Sequence, residues 1–408
     1  MFEVYKSSQQ SWIRGLRNIV PSTKTKTTHS SGVKIPGLAI VLIVVVSLGD
    51  AHGQNKARSD FRFVNVVDST QVFTSFATFP AINNHGAVAF EAIGPGTDDG
   101  VYQWHDGVLT PIAKSSPDGL SSFGHDPAIN AKGVVAFDAN VGGGHAIFTG
   151  DGVSTREIVN SVDQGLIGRF LGAPSINNSG TVAFFGSRNG FGSQAIFTGE
   201  GGPLTTVLDT LNSDFTGFQN VAINASDKIV FVGDRTDGSE GLFVIGSHDR
   251  LIDIIDTNNF DLSGFGDPVI NKSGTVADDA FRNDRNVEIL SGDRQRVIPR
   301  TNILDAMFTQ FEHPSINDYD AVAFFAIKID GGSGVFIELT GGASPIPVIQ
   351  TGDDLFGSTV VEVDLGRFAL NNHFELVFQY TLKDGRSGVA IASLRRDERQ
   401  HQREDDDD

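Results

Sequence analysis

The sequence predicts an all-β fold, a seven-bladed β-propeller built from four-stranded antiparallel blades, and three observations lead to it. Asparagine recurs as Asn83, Asn130, Asn177, Asn224, Asn271, Asn317 and Asn371, at steps of 47, 47, 47, 47, 46 and 54 residues. A short apolar stretch follows the Asn at a fixed offset. Clusters of Gly, Asn and Asp cut the intervening chain into short runs rich in Val, Ile, Thr and Phe, which are strand and hairpin signals. Repetition at such a period points to one closed array, where 408 residues would ordinarily suggest two or three domains.

Taken in order, residues 1–34 carry Lys6, Arg14, Arg17, Lys24, Lys26 and Lys34 against Glu3 alone. The aliphatic run 38–48 that follows is too short to span ~30 Å of hydrocarbon, which needs ~20 apolar residues. It fits the apolar core of a secretory signal, with small residues Gly49 and Ala51 at the cleavage positions. Residues 1–52 are therefore expected to be a basic leader and signal peptide, or alternatively an uncleaved N-terminal anchor. Either way the repeats would lie outside the cytoplasm, secreted or in the periplasm and cell envelope.

Residues 60–395 are expected to form the propeller. In the third repeat, 173–176 reads as a first strand, 177–180 as a tight turn, and 181–185 as a second strand. Segment 194–198 reads as a third and 204–209 as a fourth, which together make one blade. The Asn-x-x-Gly spacing has a mechanical reason: Asn hydrogen-bonds the backbone two residues on, and Gly at the fourth place takes positive φ without a Cβ clash. Gly86, Gly133, Gly180 and Gly274 obey, Asp227 and Asp320 are tolerable substitutes, and Phe374 breaks the rule. The turn role is preferred over a ring of Asn ligands.

The triplets Val88-Ala89-Phe90, Val135-Ala136-Phe137, Val182-Ala183-Phe184, Ile229-Val230-Phe231, Val322-Ala323-Phe324 and Leu376-Val377-Phe378 suit strands sandwiched between blades. A second Phe, at 76, 123, 170, 218, 265 and 311, is expected to pin the crossing between blades. The last repeat, 368–394, supplies three strands before a charged, disordered tail (396–408). Segment 61–68 reads as an orphan fourth strand: Asp68 stands 15 residues before Asn83, as Asp209 does before Asn224. Pairing it with the seventh blade closes the ring and removes two open edges.

Composition agrees and excludes several roles. With 31 Phe, 47 Gly and 39% hydrophobic residues, the chain is a turn-rich globular protein. The absence of cysteine excludes disulfides, thiolate metal sites and lipidated-cysteine anchors. Beyond residue 52 there are 25 basic and 48 acidic residues, a net −23, which argues against nucleic acid and anionic membrane surfaces as partners. A monomer is expected.

The pattern Pro-x-Ile-Asn-x-x-Gly-x-Val-Ala-Phe at Pro80, Pro127, Pro174 and, with a departure, Pro268 resembles the tandem NxxGxxAF repeats of exported bacterial proteins. It is also similar to the TolB-type (WD40-like) propeller repeat, in which a Ser-Pro-Asp-Gly turn leads into Ile-Ala-Phe. The resemblance covers nearly all of 60–395 and implies a propeller outside the cytoplasm, but no particular reaction, because propellers host many functions. The Ser-Pro-Asp-Gly turn is absent here, which puts a TolB role in doubt, and no apolar anchor follows Leu394.

The residue four places before each Asn should begin the innermost strand, so these seven would ring one mouth of the channel: Phe79, Asp126, Ala173, Asn220, Asp267, His313 and Arg367. With neighbouring His125 and Glu312 they form the candidate site. Phe79, Asp126, Asn220, Asp267, His313 and Arg367 are candidate ligand-binding residues; Asp126, Asp267, His313 and Arg367 are candidates for acid/base work. The bland alternative is a wet mouth that tolerates polar side chains.

In the fifth repeat the triplet becomes Val276-Ala277-Asp278 followed by Asp279. Either a slip of one or two residues puts Phe281 in the core, or the carboxylate pair is a weak Ca²⁺ or acid/base candidate with Arg282, Arg285 and Arg294 nearby. The acidic loops at 97–100 and 234–238 read as hairpin turns. The ten His lack metal-ligand spacing, so no cofactor is expected apart from a possible Ca²⁺. The preferred reading is a binding or scaffolding module for a glycan, peptide or envelope protein; the alternative is a secreted lyase or glycosidase acting at the mouth.

Overall fold

A computed structural model describes residues 60–395 apart from short segments at 97, 116–118, 163–168, 171, 189–191, 247–249, 259, 285, 302–307 and 340–343. The expected leader, signal and tail (1–52 and 396–408) lie outside the described residues. Every regular element among the described residues is a strand, and the strands assort into seven antiparallel sheets in chain order. Each sheet is one blade. In blade 2, for example, Leu120–Ser121 and Ala128–Ile129 pair with Val135–Val141, then Gly144–Gly150, then Thr155–Asn160 at the rim.

The ring closes as the sequence predicts. Phe61–Asp68 is the outer strand of blade 7 and runs antiparallel to Ser387–Leu394, with Phe61 opposite Leu394 and Asp68 opposite Gly388. Glu375–Leu382 and Ser358–Asp364 complete the blade. The inner strand thus lies earlier than the expected start at 368; from 368 to 374 the chain contributes just the bridge from Leu370 to Leu376. A Cβ on Gly388 would collide with Val67 O, so the closing strand requires a glycine there.

The repeat Asn is a turn residue and something more. Asn83 Oδ1 accepts hydrogen bonds from the N–H of His85 (2.9 Å) and Ala87 (3.0 Å), and the same pair recurs at every other repeat Asn. At Asn271 the first of the two comes from Ser273 Oγ instead of a backbone N–H. The fourth turn residue takes positive φ throughout, from 76° at Gly86 to 104° at Gly180, and also at Asp227, Asp320 and Phe374 (59–60°). Meanwhile Nδ2 reaches the next blade: Asn83 donates to Asn130 O, Asn130 to Asn177 O, Asn224 to Asn271 O, Asn271 to Asn317 O and Asn317 to Asn371 O. Asn371 donates to Asn83 O at 3.0 Å, completing the circle. Asn177 departs by donating to Asp227 Oδ1, and Asp320 Oδ1 accepts from Asn271, so these two aspartates do more than tolerate the turn.

Packing between blades rests on the triplet Phe residues, all at most 1% exposed. Phe123, Phe218 and Phe311 are buried against Phe137, Phe231 and Phe324 of the same blade at 5.6–6.2 Å. Phe123 and Phe137 also pack on Val101, Ile112 and Ala113 of blade 1, as expected of a crossing pin. The fifth repeat does not slip. Asp278 stays in the Phe register opposite Leu290, fully buried, while Phe281 is 40% exposed. The Asn271 turn has the geometry of its homologues, and that fixes the register of the strand after it.

Candidate functional site

In every blade the inner strand is interrupted between its two pairings with the second strand. In blade 6 the register shifts between Glu312 and Ser315, leaving His313 and Pro314 unpaired; in blade 4 it shifts between Gln219 and Val221, leaving Asn220. These interruptions hold the seven positions expected to ring the mouth. Asn220 and His313 have φ of +34° and +53°, a conformation that costs ~1–3 kcal/mol for residues other than glycine and is found at functional sites.

Blade 7 carries a larger interruption. Asp364 pairs with Gln379 and Ala369 O accepts from Val377 N–H, so four residues, Leu365 to Phe368, stand where blade 6 has two. The extra chain drives Arg367 and Phe368 into the centre. Arg367 is 4% exposed and donates through Nη2 to Val221 O of blade 4 (2.8 Å) and Pro268 O of blade 5 (3.2 Å), across the ring from its own blade. Phe368 packs against apolar clusters of blades 2–3, 4–5 and 5–6. The centre is therefore filled at this level, and Arg367 is engaged by backbone carbonyls.

Around the plug the other expected residues assemble. Asp126 Oδ1 accepts from Phe79 N–H at 2.9 Å, and the Phe79 ring lies 4.7 Å from the His313 ring. Asn220 Nδ2 donates to Gly266 O, and Asp267 N–H donates to Asp279 Oδ1 at 3.1 Å. The fold thus adds Asp279 to the site, along with Glu91 and Asp364. Ala173 contributes no polar group.

The electrostatics are those of crowded, desolvated acids. Burial raises the Asp126 carboxyl against the pull of Phe79 N–H, His313 and Arg367. Burial, with Asp267 adding to it, pushes Asp279 up to about 6; burial takes Asp364 to about 7 and, joined by Asp138 and Asp126, Glu91 to about 8. Asp278 is raised well above the usual range by burial, Asp279 and Asp267, and neither of its oxygens has a partner among the described residues. Burial alone would lower His313, yet Asp279, Glu312, Asp267 and Asp364 outweigh it and hold the ring's affinity for a proton above normal. Such clustering of perturbed groups is a physical pointer to a functional site. Arg282, expected as a partner for the Asp278 pair, instead binds Glu288 at 2.9 Å.

One constellation was invisible in the sequence. His125 Nδ1 and His145 Nε2 both meet Asp138 Oδ2, at 2.9 and 2.7 Å, on blade 2. Separations of 13 and 7 residues gave no ligand spacing; the antiparallel pairing that sets Asp138 opposite Ile147 brings them together. The one signal was Asp138 itself, a carboxylate one place after the core Phe137. The acidic loop at 234–238 is a turn, with Asp237 accepting from Ser239 N–H, and in the other loop Asp98 pairs with Lys114. An open groove of about 360 Å³ between blades 3 and 4, lined by Thr181, Thr198, Glu200 and Asp227, holds none of the mouth residues.

No protein-family model and no curated protein matches the sequence. Among solved structures, TolB from Acinetobacter baumannii is similar at 16% identity and TM-score 0.41, over 65% of this chain and 61% of that one. An oligogalacturonate lyase from Vibrio parahaemolyticus is similar at 11% and 0.47, over 82% and 97%. A prolyl endopeptidase structure is similar at 12% and 0.52, over 85% and 53%. The chain spans under two thirds of the TolB and the endopeptidase. No helix among the described residues is long and apolar enough to cross a membrane. The likeness to the endopeptidase, at 12% identity, bears on the fold alone.

Proposed function

We propose that the protein is an extracytoplasmic binding module whose channel mouth receives a cationic group, the amine of an amino-sugar glycan or a basic side chain of a peptide or envelope protein. One observation carries this reading: Asp126, Asp267, Asp279 and Asp364, from blades 2, 5 and 7, gather around His313, the cationic neighbour left because Arg367 is spent on Val221 O and Pro268 O. An incoming ammonium would relieve the mutual repulsion of these carboxylates and take up desolvated charge, where Coulomb attraction is stronger than in bulk water. The strongly acidic body would also steer such ligands toward it.

Asp279 and Asp364 poised at about 6 and about 7 beside His313 favour a second reading, acid/base cleavage of an oligosaccharide. Arg367, held by Val221 O and Pro268 O, is not free to act on a substrate, which supports binding over turnover.

The test is an array of amino-sugar, neutral and acidic oligosaccharides together with Lys/Arg-rich peptides. Binding to cationic members, tightening from pH 5.5 to 8 as the carboxyls and His313 lose protons and abolished by Asp267→Ala with Asp279→Asn, is expected. Preference for acidic glycans, or binding indifferent to both changes, contradicts the assignment; release of new reducing ends selects the enzymatic reading.

A further inference from the structure

Blade 2 carries a second chemistry that the mouth does not use. Two imidazoles, His125 from the interruption of the inner strand and His145 from the strand Gly144–Gly150, converge on one oxygen of a carboxylate that is 1% exposed, and the three ligand atoms lie within 4.8 Å of one another. We propose that His125 Nδ1, His145 Nε2 and Asp138 Oδ2 form a binding site for a divalent d-block cation of the zinc class.

The donor set decides the class. Ca²⁺ takes six to eight oxygens and Mg²⁺ keeps its waters, whereas two imidazoles with one carboxylate suit Zn²⁺, Co²⁺, Ni²⁺ or Fe²⁺, leaving positions open to water or ligand. Bonds of ~2.0–2.1 Å in a tetrahedron set ligand atoms about 3.3 Å apart. The present 2.7 and 2.9 Å contacts need to open by about half an ångström, which side-chain rotation supplies.

Three features around the triad look built for this. The backbone N–H of His125 donates to the other carboxylate oxygen, Asp138 Oδ1, at 2.9 Å, aiming Oδ2 at the imidazoles as an outer-shell partner does. Gly124 leaves the space beside them clear: a Cβ there would stand 2.8 Å from Asp138 Oδ2 and 3.8 Å from His145 Nε2. The side chains of His125 and His145 are 35% and 24% exposed, so a cation has an entry path, while Asp138 forms the closed floor.

This inference does not rest on the channel-mouth reading, which is carried by Asp126, Asp267, Asp279 and Asp364. The experiment uses the full chain, stripped with a chelator and titrated with Zn²⁺ against a competing fluorescent chelator, then with Co²⁺ read by its d–d absorption. One equivalent of Zn²⁺ is expected, with an intense Co²⁺ spectrum of low coordination number. His145→Gln and Asp138→Asn should each weaken Zn²⁺ by more than the ~10–100-fold that outer-shell changes cost. Exposed His373→Ala should change nothing, and circular dichroism checks that each variant is folded. In any variant that does not fold, protection of His125 and His145 from diethyl pyrocarbonate by Zn²⁺ in the wild type replaces the affinity comparison. Failure to bind Zn²⁺, unchanged affinity in folded Asp138→Asn, loss in His373→Ala, or preference for Ca²⁺ would each overturn the site.

Discussion

Asn130 offers the sharpest perturbation of the ring, because one side chain serves two separable purposes. Its Oδ1 accepts from the N–H of Lys132 and Val134, both at 3.0 Å, and holds the turn; its Nδ2 donates to Asn177 O at 3.0 Å and ties blade 2 to blade 3. The residue is 3% exposed, so lost partners are not replaced by water. Asn130→Ala removes all three bonds, and at about 1 kcal/mol net for each it should cost ~3 kcal/mol. Asn130→Asp keeps the two acceptor bonds, deletes the donor and sets a carboxylate against a carbonyl oxygen; the stranded group should cost ~1–3 kcal/mol at pH 7. The sign with pH is fixed: burial against a carbonyl oxygen raises the introduced carboxyl's affinity for a proton in the folded state, so the deficit shrinks on acidification, when its O–H can donate in place of Nδ2. Urea titrations of the three proteins at pH 7 and pH 4.5 measure both effects. If Asn130→Asp is as stable as wild type at pH 7, the bond between blades contributes nothing and the turn alone accounts for the recurring Asn.

Two further outcomes follow. Asp278, Asp279 and Asp364 keep their protons in the folded state above the ordinary value of 3.8, so folding takes up protons and stability falls as pH rises through about 4 to 7. Each such group contributes a slope of up to ~1.4 kcal/mol per pH unit; Asp278→Leu should raise the urea midpoint at pH 8 and flatten the profile, and an unchanged slope would count against a buried neutral carboxyl. Arg367→Met, which removes the two carbonyl bonds across the ring but keeps the apolar stem, should cost ~2–4 kcal/mol for hydrogen bonds from a buried charge and the acceptors left behind, as read by thermal unfolding; a loss within error would mean the plug is not structural.

What the sequence made legible was whatever repeats. The Asn step placed the turns, the Phe four places beyond the Gly position placed the core, and Asp68 at its 15-residue offset identified the closing strand. Even Phe374, the residue that broke the turn rule, takes φ +59° with its ring stacked on Tyr319, because the framework imposes the conformation. What stayed hidden depends on relations between modules or on departures from them. The Nδ2 links run from blade to blade, so no single repeat contains one. The two extra residues before Ala369 were visible as part of a 54-residue step, yet nothing local says that they push Arg367 and Phe368 into the centre. His125, Asp138 and His145 meet because neighbouring strands are in a particular register, which spacing along the chain does not display.

The closure of the ring underlies both the mouth and its site, and the absence of cysteine makes it directly testable. Arg62 and Ser393 face each other in the register of the closing strand. Arg62→Cys combined with Ser393→Cys should form an intramolecular disulfide under mild oxidation and raise the unfolding temperature, while Arg62→Cys with Ile391→Cys, two residues out of register, should stay reduced. Equal oxidation of both pairs, or a disulfide formed between molecules, would contradict a ring closed by residues 61–68.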